Sequence, residues 1–136
     1  MSDPSSHQVQ DTPAARLLSR EVLSVDAETG EVTLRFVAKP EFANRHGTVQ
    51  GGFLAAMLDS ATGMAVMLSL PPDMTAVTTR LDVSYLKPAS IGPLRATSRV
   101  VRRDARSADV EAHLMDDAGV VLATANAELR IRSKRP

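Results

Sequence analysis

Asp59 lies in the middle of an apolar run from Phe53 to Leu70, and the residues three and four positions away, Ala55, Ala56, Thr62 and Gly63, include no cation. A carboxylate so placed on a helix fits two readings. It shares a thin polar stripe with Ser60 and Thr62, or it is a general base or nucleophile whose apolar surroundings tune it. Gln50-Gly51-Gly52 opens the same run. The first N–H groups of a helix have no intrahelical acceptor, and the helix dipole adds positive potential there. Two glycines let a ligand come close, which suits an oxyanion or a polarised carbonyl, though they equally ease a tight turn into the helix. Eight residues separate Gly51 from Asp59, about 12 Å along a helix axis. A base must lie within about 3 Å of the proton it takes, directly or through one water. One helix therefore cannot bring both groups to one bond, and if both act they come from two subunits.

The elements that must position these groups are legible from periodicity. Residues 1–12 are expected as a disordered tail and 13–136 as one domain. Thr12 and Pro13 read as the N-cap and first position of a short helix over Ala14 to Ser19. Val22, Val25, Val32, Leu34 and Phe36 alternate with polar residues around Asp26 to Gly30, the pattern of a hairpin. Pro40 to His46 is irregular. The apolar helix follows and is closed by Pro71-Pro72. Its length of about 20 residues could span a bilayer, but a mid-span Asp is expensive there, so a buried helix is expected. Val77, Thr79, Leu81, Val83 and Tyr85 read as one face of a strand. Leu94 to Arg103, Ala108 to Met115 and Val120 to Arg132 supply three more, linked by turns at Arg103 to Arg106 and Asp116 to Gly119. The order predicts a hairpin, one long helix and an antiparallel meander, an α+β fold in two layers with the sheet wrapped on the helix.

Composition narrows the function classes. The 136 residues carry 16 Lys+Arg against 16 Asp+Glu, which argues against nucleic acid as a partner. There is no cysteine, which removes thiol nucleophiles and thiolate metal sites and fits the expected cytoplasmic location. Aromatic residues are only 3%, so the core is filled by small and aliphatic side chains, and a homo-oligomer is expected to add buried area. No nucleophile elbow, P-loop, dinucleotide-binding or zinc-protease motif occurs. His7 falls in the tail, His46 in the loop, and His113 shares strand parity with Asp109 and Glu111, facing solvent. No metal site is expected. Arg102, Arg103 and Arg106 cluster at a strand end, where they are either a solvated hairpin tip or a site for phosphates. Phe53, Met57, Met64 and Met67 are either core or the wall of an adaptable pocket.

The stretch Asn44-Arg45-His46-Gly47-Thr48-Val49-Gln50-Gly51-Gly52-Phe53, followed by Met57-Leu58-Asp59-Ser60-Ala61, resembles the hot-dog-fold acyl-CoA thioesterases of the PaaI type. Thr78 to Ala89, with Tyr85 and Pro88-Ala89, and Asp117 to Ala125 are similar to two of that family's strands. The resemblance covers about Val32 to Arg132. It implies a hot-dog fold, one long helix wrapped by a curved antiparallel sheet, and a homodimer as the minimum active unit, assembled as a homotetramer. It also implies hydrolysis of an acyl- or aryl-acyl-CoA to the free acid and CoA, with no cofactor beyond the coenzyme A of the substrate. By position, Asn44 through its amide and Gly51 through its N–H would hold the thioester carbonyl. Asp59 of the other subunit would be the base or nucleophile, and Thr78 would place the water. Gly52 and His46 would contact substrate, and Arg102, Arg103 and Arg106 would meet the nucleotide end of CoA. Gln50 stands where the family usually has His; it keeps a donor and cannot titrate. A non-catalytic acyl-CoA-binding sensor and a hot-dog hydratase or dehydratase are the competing readings. A carboxylate at position 59 favours the thioesterase over the sensor, and the lack of His at position 50 disfavours the hydratase.

Overall fold

A computed structural model describes residues 11–134 of the chain. Most of the expected tail, including His7, lies outside the described residues. Its last two residues instead begin the fold: Asp11 pairs with Arg16, and Thr12 caps α1 (Pro13–Leu17) by accepting from the Ala15 N–H at 3.1 Å. β1 (Glu21–Val25) and β2 (Val32–Ala38) form the expected hairpin. Asp26 Oδ1 accepts from the Glu28 and Thr29 N–H groups, and Gly30 takes a φ of +75° that closes the turn. A 3₁₀ turn over Pro40–Phe42 leads to α2 (Gly51–Met67). The helix stops three residues short of the expected Leu70, before Pro71-Pro72.

β3 (Met74–Tyr85), β4 (Gly92–Arg103), β5 (Ser107–Met115) and β6 (Val121–Ser133) complete a six-stranded antiparallel sheet in the order β1-β2-β4-β5-β6-β3. This corrects the expected meander, because β3 does not neighbour β4. The link at 86–91 is too long and too proline-bound for a tight turn. The Leu86 and Lys87 N–H groups donate to the Leu122 carbonyl, the Ala89 carbonyl accepts from Val49, and the chain crosses to pair β4 with β2. β3 is left as a sheet edge, paired on one side only, with β6.

α2 lies against one face of the curved sheet. Small residues allow the close approach: Ala61 and Ala65 of the helix, and Ala96, Ala112 and Ala125 of the sheet, are all buried. Leu34, Phe36, Met57, Leu58 and Leu114 supply the bulk of the core, each contributing roughly 1.5–3 kcal/mol by leaving water. Thr62 is fully buried and its hydroxyl donates to the Leu58 carbonyl at 3.0 Å, so it does not belong to the expected polar stripe. No helix among the described residues is long and apolar enough to cross a membrane. This architecture is the hot-dog fold.

One strand departs from simple alternation in a way that matters for the site. β3 carries a bulge between Thr78 and Arg80, where the Thr79 hydroxyl donates to the Glu128 carbonyl at 3.1 Å. The extra residue reverses the side-chain parity of what precedes it. Leu81, Val83 and Tyr85 share a face with Ala76 and Thr78, while Val77 turns outward and is 43% exposed. The expected face containing Val77 and Thr79 is thus corrected.

Candidate active site

The start of α2 is held by its own loop and by β3. Asn44 closes the loop: its Oδ1 accepts from the His46 N–H at 2.9 Å and the Thr48 N–H at 3.2 Å, while its Nδ2 donates to Thr48 Oγ1 at 3.0 Å. The Asn44 N–H donates to the Thr48 carbonyl, and Gln50 N–H to the Phe42 carbonyl. Phe42 then stacks on Phe53 with centroids 4.0 Å apart, locking the loop to the first helical turn. Gly51 and Gly52 donate to no acceptor among the described residues, as the first amides of a helix do unless capped. Gln50, at the N-cap, makes no side-chain cap bond and is exposed. His46 is exposed too, its ring accepting from Arg45 at 3.3 Å.

Tyr85, to which the sequence reading gave a place in a strand and a motif but no role at the site, reaches the start of α2. Its hydroxyl donates to the Gly51 carbonyl at 2.8 Å, and its ring stands 3.3 Å from where a Cβ on Gly51 would lie. A side chain at position 51 would therefore crowd the Tyr85 ring, which would have to give by a few tenths of an ångström. The Tyr85 side chain ties β3 to the first residue of α2.

Asp59 is exposed on the protomer, and Thr78 Oγ1 donates to its Oδ1 at 2.7 Å. The second carboxylate oxygen makes no hydrogen bond among the described residues. Thr78 reaches the helix only because of the β3 bulge. Next to this pair the curved sheet leaves a cleft of about 270 Å³ along α2. Met64 and Met67 line that cleft, whereas Met57 is wholly buried in the core and Phe53 is the partner of Phe42. Gly51 and Asp59 sit at opposite ends of two helical turns, as their spacing requires.

The arginine cluster is placed elsewhere, beyond the C-terminal end of α2. Arg102 donates to Asp109 at 2.6 Å, to Asp104 at 3.0 Å and to Ser107 at 3.0 Å. Those acceptors, Asp109 first, raise its pKa further above the ordinary guanidinium value. Arg103 donates to Ser69 at 2.8 Å, just past the helix end. The Arg106 guanidinium makes no bond among the described residues. His113 is exposed, as its parity predicts. Among the described residues, no three His, Asp or Glu side chains converge as metal ligands.

A helix with free glycine amides at its start and a hydroxyl-bound carboxylate two turns along, wrapped by this sheet, has the form of a thioester hydrolase of the hot-dog class. The family model of the thioesterase superfamily matches residues 46–123, and the chain belongs to that superfamily. A solved phenylacetic acid degradation-related protein of Ralstonia eutropha, provisionally named a thioesterase, is 38% identical, with a TM-score of 0.84 over 89% of this chain and 92% of that one. A Bacillus halodurans protein solved with CoA is 28% identical, with a TM-score of 0.78 over 90% of this chain and 78% of that one. A Halobacterium salinarum protein provisionally named an esterase is 42% identical over 82 residues, which span 57% of this chain and only 54% of the relative.

Proposed function

We propose that the protein hydrolyses acyl-CoA thioesters at a site shared by two subunits. The observation that carries this reading is the Thr78–Asp59 contact: a carboxylate held at one oxygen by a hydroxyl, with the other oxygen open to a cleft. The Gly51 and Gly52 amides, together with the Asn44 side-chain amide, would take the thioester carbonyl and stabilise its developing oxyanion. Water held at the open oxygen of Asp59, beside Thr78, would attack the carbonyl carbon, giving one proton to the carboxylate. The C–S bond then breaks, and that proton passes to the departing thiolate. The products are the acid and free CoA, and the step needs no cofactor. The CoA held by the Bacillus halodurans relative supports the substrate class.

The edge strand β3 supports the shared site. Its unpaired side offers a full strand of backbone donors and acceptors to a second copy. Two copies joined antiparallel there would run their helices in opposite directions and set Gly51 of one near Asp59 of the other. A homotetramer would be two such dimers, and Arg106, with its guanidinium free of the turn's ion pairs, would be the cluster's contact to CoA phosphate.

Subunit mixing tests the reading. Asn44→Asp keeps the loop acceptors but removes the donor to the carbonyl, and Asp59→Asn removes the base. Gly51→Pro suits this purpose less, because its ring carbons would press on Tyr85. Each variant alone should release little thiol from acyl-CoA. Heterodimers collect one intact site and should recover about half the wild-type rate. Verified heterodimers that stay inactive, built from folded variants, would show that the site is not shared.

A further inference from the structure

The cleft beside Asp59 has a shape and a lining that the hydrolytic step does not explain. Asp59, Gly63 and Met67 recur every four residues along α2, so they form one stripe, and all three line the cleft. Gly63 lies about 6 Å and Met67 about 12 Å beyond Asp59 along the helix axis. Glycine weakens the middle of a helix, and the usual compensations are a left-handed backbone or the close approach of another segment. Gly63 has neither: it is helical, and a Cβ on it would meet nothing within 4 Å. What its missing side chain leaves is open space in the cleft, one turn past the carboxylate.

The far end of the cleft is closed. Met67 is the last residue of α2, and its sulfur accepts from the Thr75 hydroxyl of β3 at 3.8 Å, so the two side chains bridge the helix and the sheet edge. Met64, Ala76 and Leu129 supply apolar walls between Asp59 and that bridge. The other polar side chains of the lining are bound to protein groups: Thr12 to the Ala15 N–H, Ser60 and Arg20 to each other, and Thr78 to Asp59. Asp59 itself repels an anion brought near it. An acyl group with a charged tip would lose its hydration there, whereas an apolar chain gains by leaving water. The volume of about 270 Å³ holds roughly nine water-sized groups, matching the heavy atoms of an octanoyl group.

We infer that this cleft holds the acyl chain, that Gly63 is the opening through which the chain passes Asp59, and that Met67, held by Thr75, ends it. The inference rests on the thioesterase reading and names its substrate class: CoA thioesters of uncharged aliphatic acids of medium length, up to about eight carbons. An acetyl group ends before it reaches Gly63. Gly63 and Met67 are specificity residues here, and neither touches the reacting atoms.

Thiol release from acetyl-, butanoyl-, hexanoyl-, octanoyl- and dodecanoyl-CoA tests it on the full chain. In wild type kcat/KM should rise with length, by up to about fourfold for each methylene buried, and fall again at dodecanoyl-CoA. Succinyl-CoA should trail butanoyl-CoA by about tenfold or more. Gly63→Val should lower the octanoyl-to-acetyl ratio of kcat/KM by about tenfold or more, the loss of a few buried methylenes. Gly63→Ala, whose Cβ has room, should lower that ratio less and raise the melting temperature, so the test survives a valine variant that does not fold. Met67→Ala should move the best substrate toward dodecanoyl-CoA. A wild type indifferent to length, a preference for succinyl- over butanoyl-CoA, or a ratio unchanged in both Gly63 variants would overturn the inference and leave the thioesterase reading standing. If wild type leaves every thioester intact, acetyl-CoA included, the thioesterase reading itself fails, and the inference with it.

Discussion

In the hairpin turn between β4 and β5, charged groups other than Arg106 are answered by close neighbours; along the first half of α2, polar groups are largely left open. Asp104 accepts from the Arg106 and Ser107 N–H groups and from Arg102, and Arg102 in turn binds Asp109 and Ser107. At the helix, the Gly51 and Gly52 amides have no acceptor among the described residues, Gln50 caps nothing, and Asp59 receives one bond. Both regions are polar and lie at the surface, so polarity alone does not tell them apart. What differs is spent hydrogen-bonding capacity. A saturated cluster shapes the chain, whereas groups with unused donors and acceptors can still hold a reacting molecule.

This contrast is broken most sharply at Asp59. Asp59→Asn should lower kcat for thioester hydrolysis by about a thousandfold, the scale of a lost general base, with the fold unchanged by circular dichroism. Near-normal turnover would move Asp59 into the same structural class as Asp104. Asn44→Asp comes next, with an expected loss of about a hundredfold in kcat if its amide meets the oxyanion. If only KM rises, Asn44 serves to close its loop and no more.

Two further substitutions sharpen the contrast at lower cost to the rate. Thr78→Val keeps shape but deletes the 2.7 Å bond to Asp59, and turnover should drop about tenfold. Tyr85→Phe removes one neutral hydrogen bond to the Gly51 carbonyl and should cost about threefold in kcat with KM little changed.

The smallest effect on rate belongs to the saturated turn. Asp104→Ala should leave hydrolysis unaltered and lower the melting temperature slightly at neutral pH. The Arg106 N–H first, then the Arg102 guanidinium, hold the Asp104 carboxyl down to about 2. A pKa depressed on folding stabilises above the unfolded value, about 3.9, and that contribution is lost as pH falls through about 2. The gap in melting temperature between wild type and Asp104→Ala should therefore close between about pH 4 and pH 2. A gap that persists at pH 2 would show that the turn does not depend on this charge.

The sequence by itself determined the elements and marked most of the residues of the candidate site. The period-two runs of β2 and β5 produced strands whose apolar sides are buried, and Thr12-Pro13 produced a capped helix start. Asp59 and Gly51 stand out because an acid without a cation and a glycine pair at a helix start are local features, visible without knowing what packs around them. Three things were decided only by the tertiary structure. Strand order was one: β3 skips β4 because pairing depends on which edges meet across the helix, not on closeness in the chain. Thr78 was another. Strict alternation assigns it to the face opposite Leu81 and Val83, and only the bulge at Thr79, stabilised by a bond to β6, turns it toward Asp59. Arg20 was the third. Nothing local connects it to Ser60, forty residues away, until the curl of the sheet lays both beside one cleft. Periodicity reports which side of an element is apolar; the neighbours that a side meets depend on register, bulges and curvature, which arise from contacts far apart in the chain.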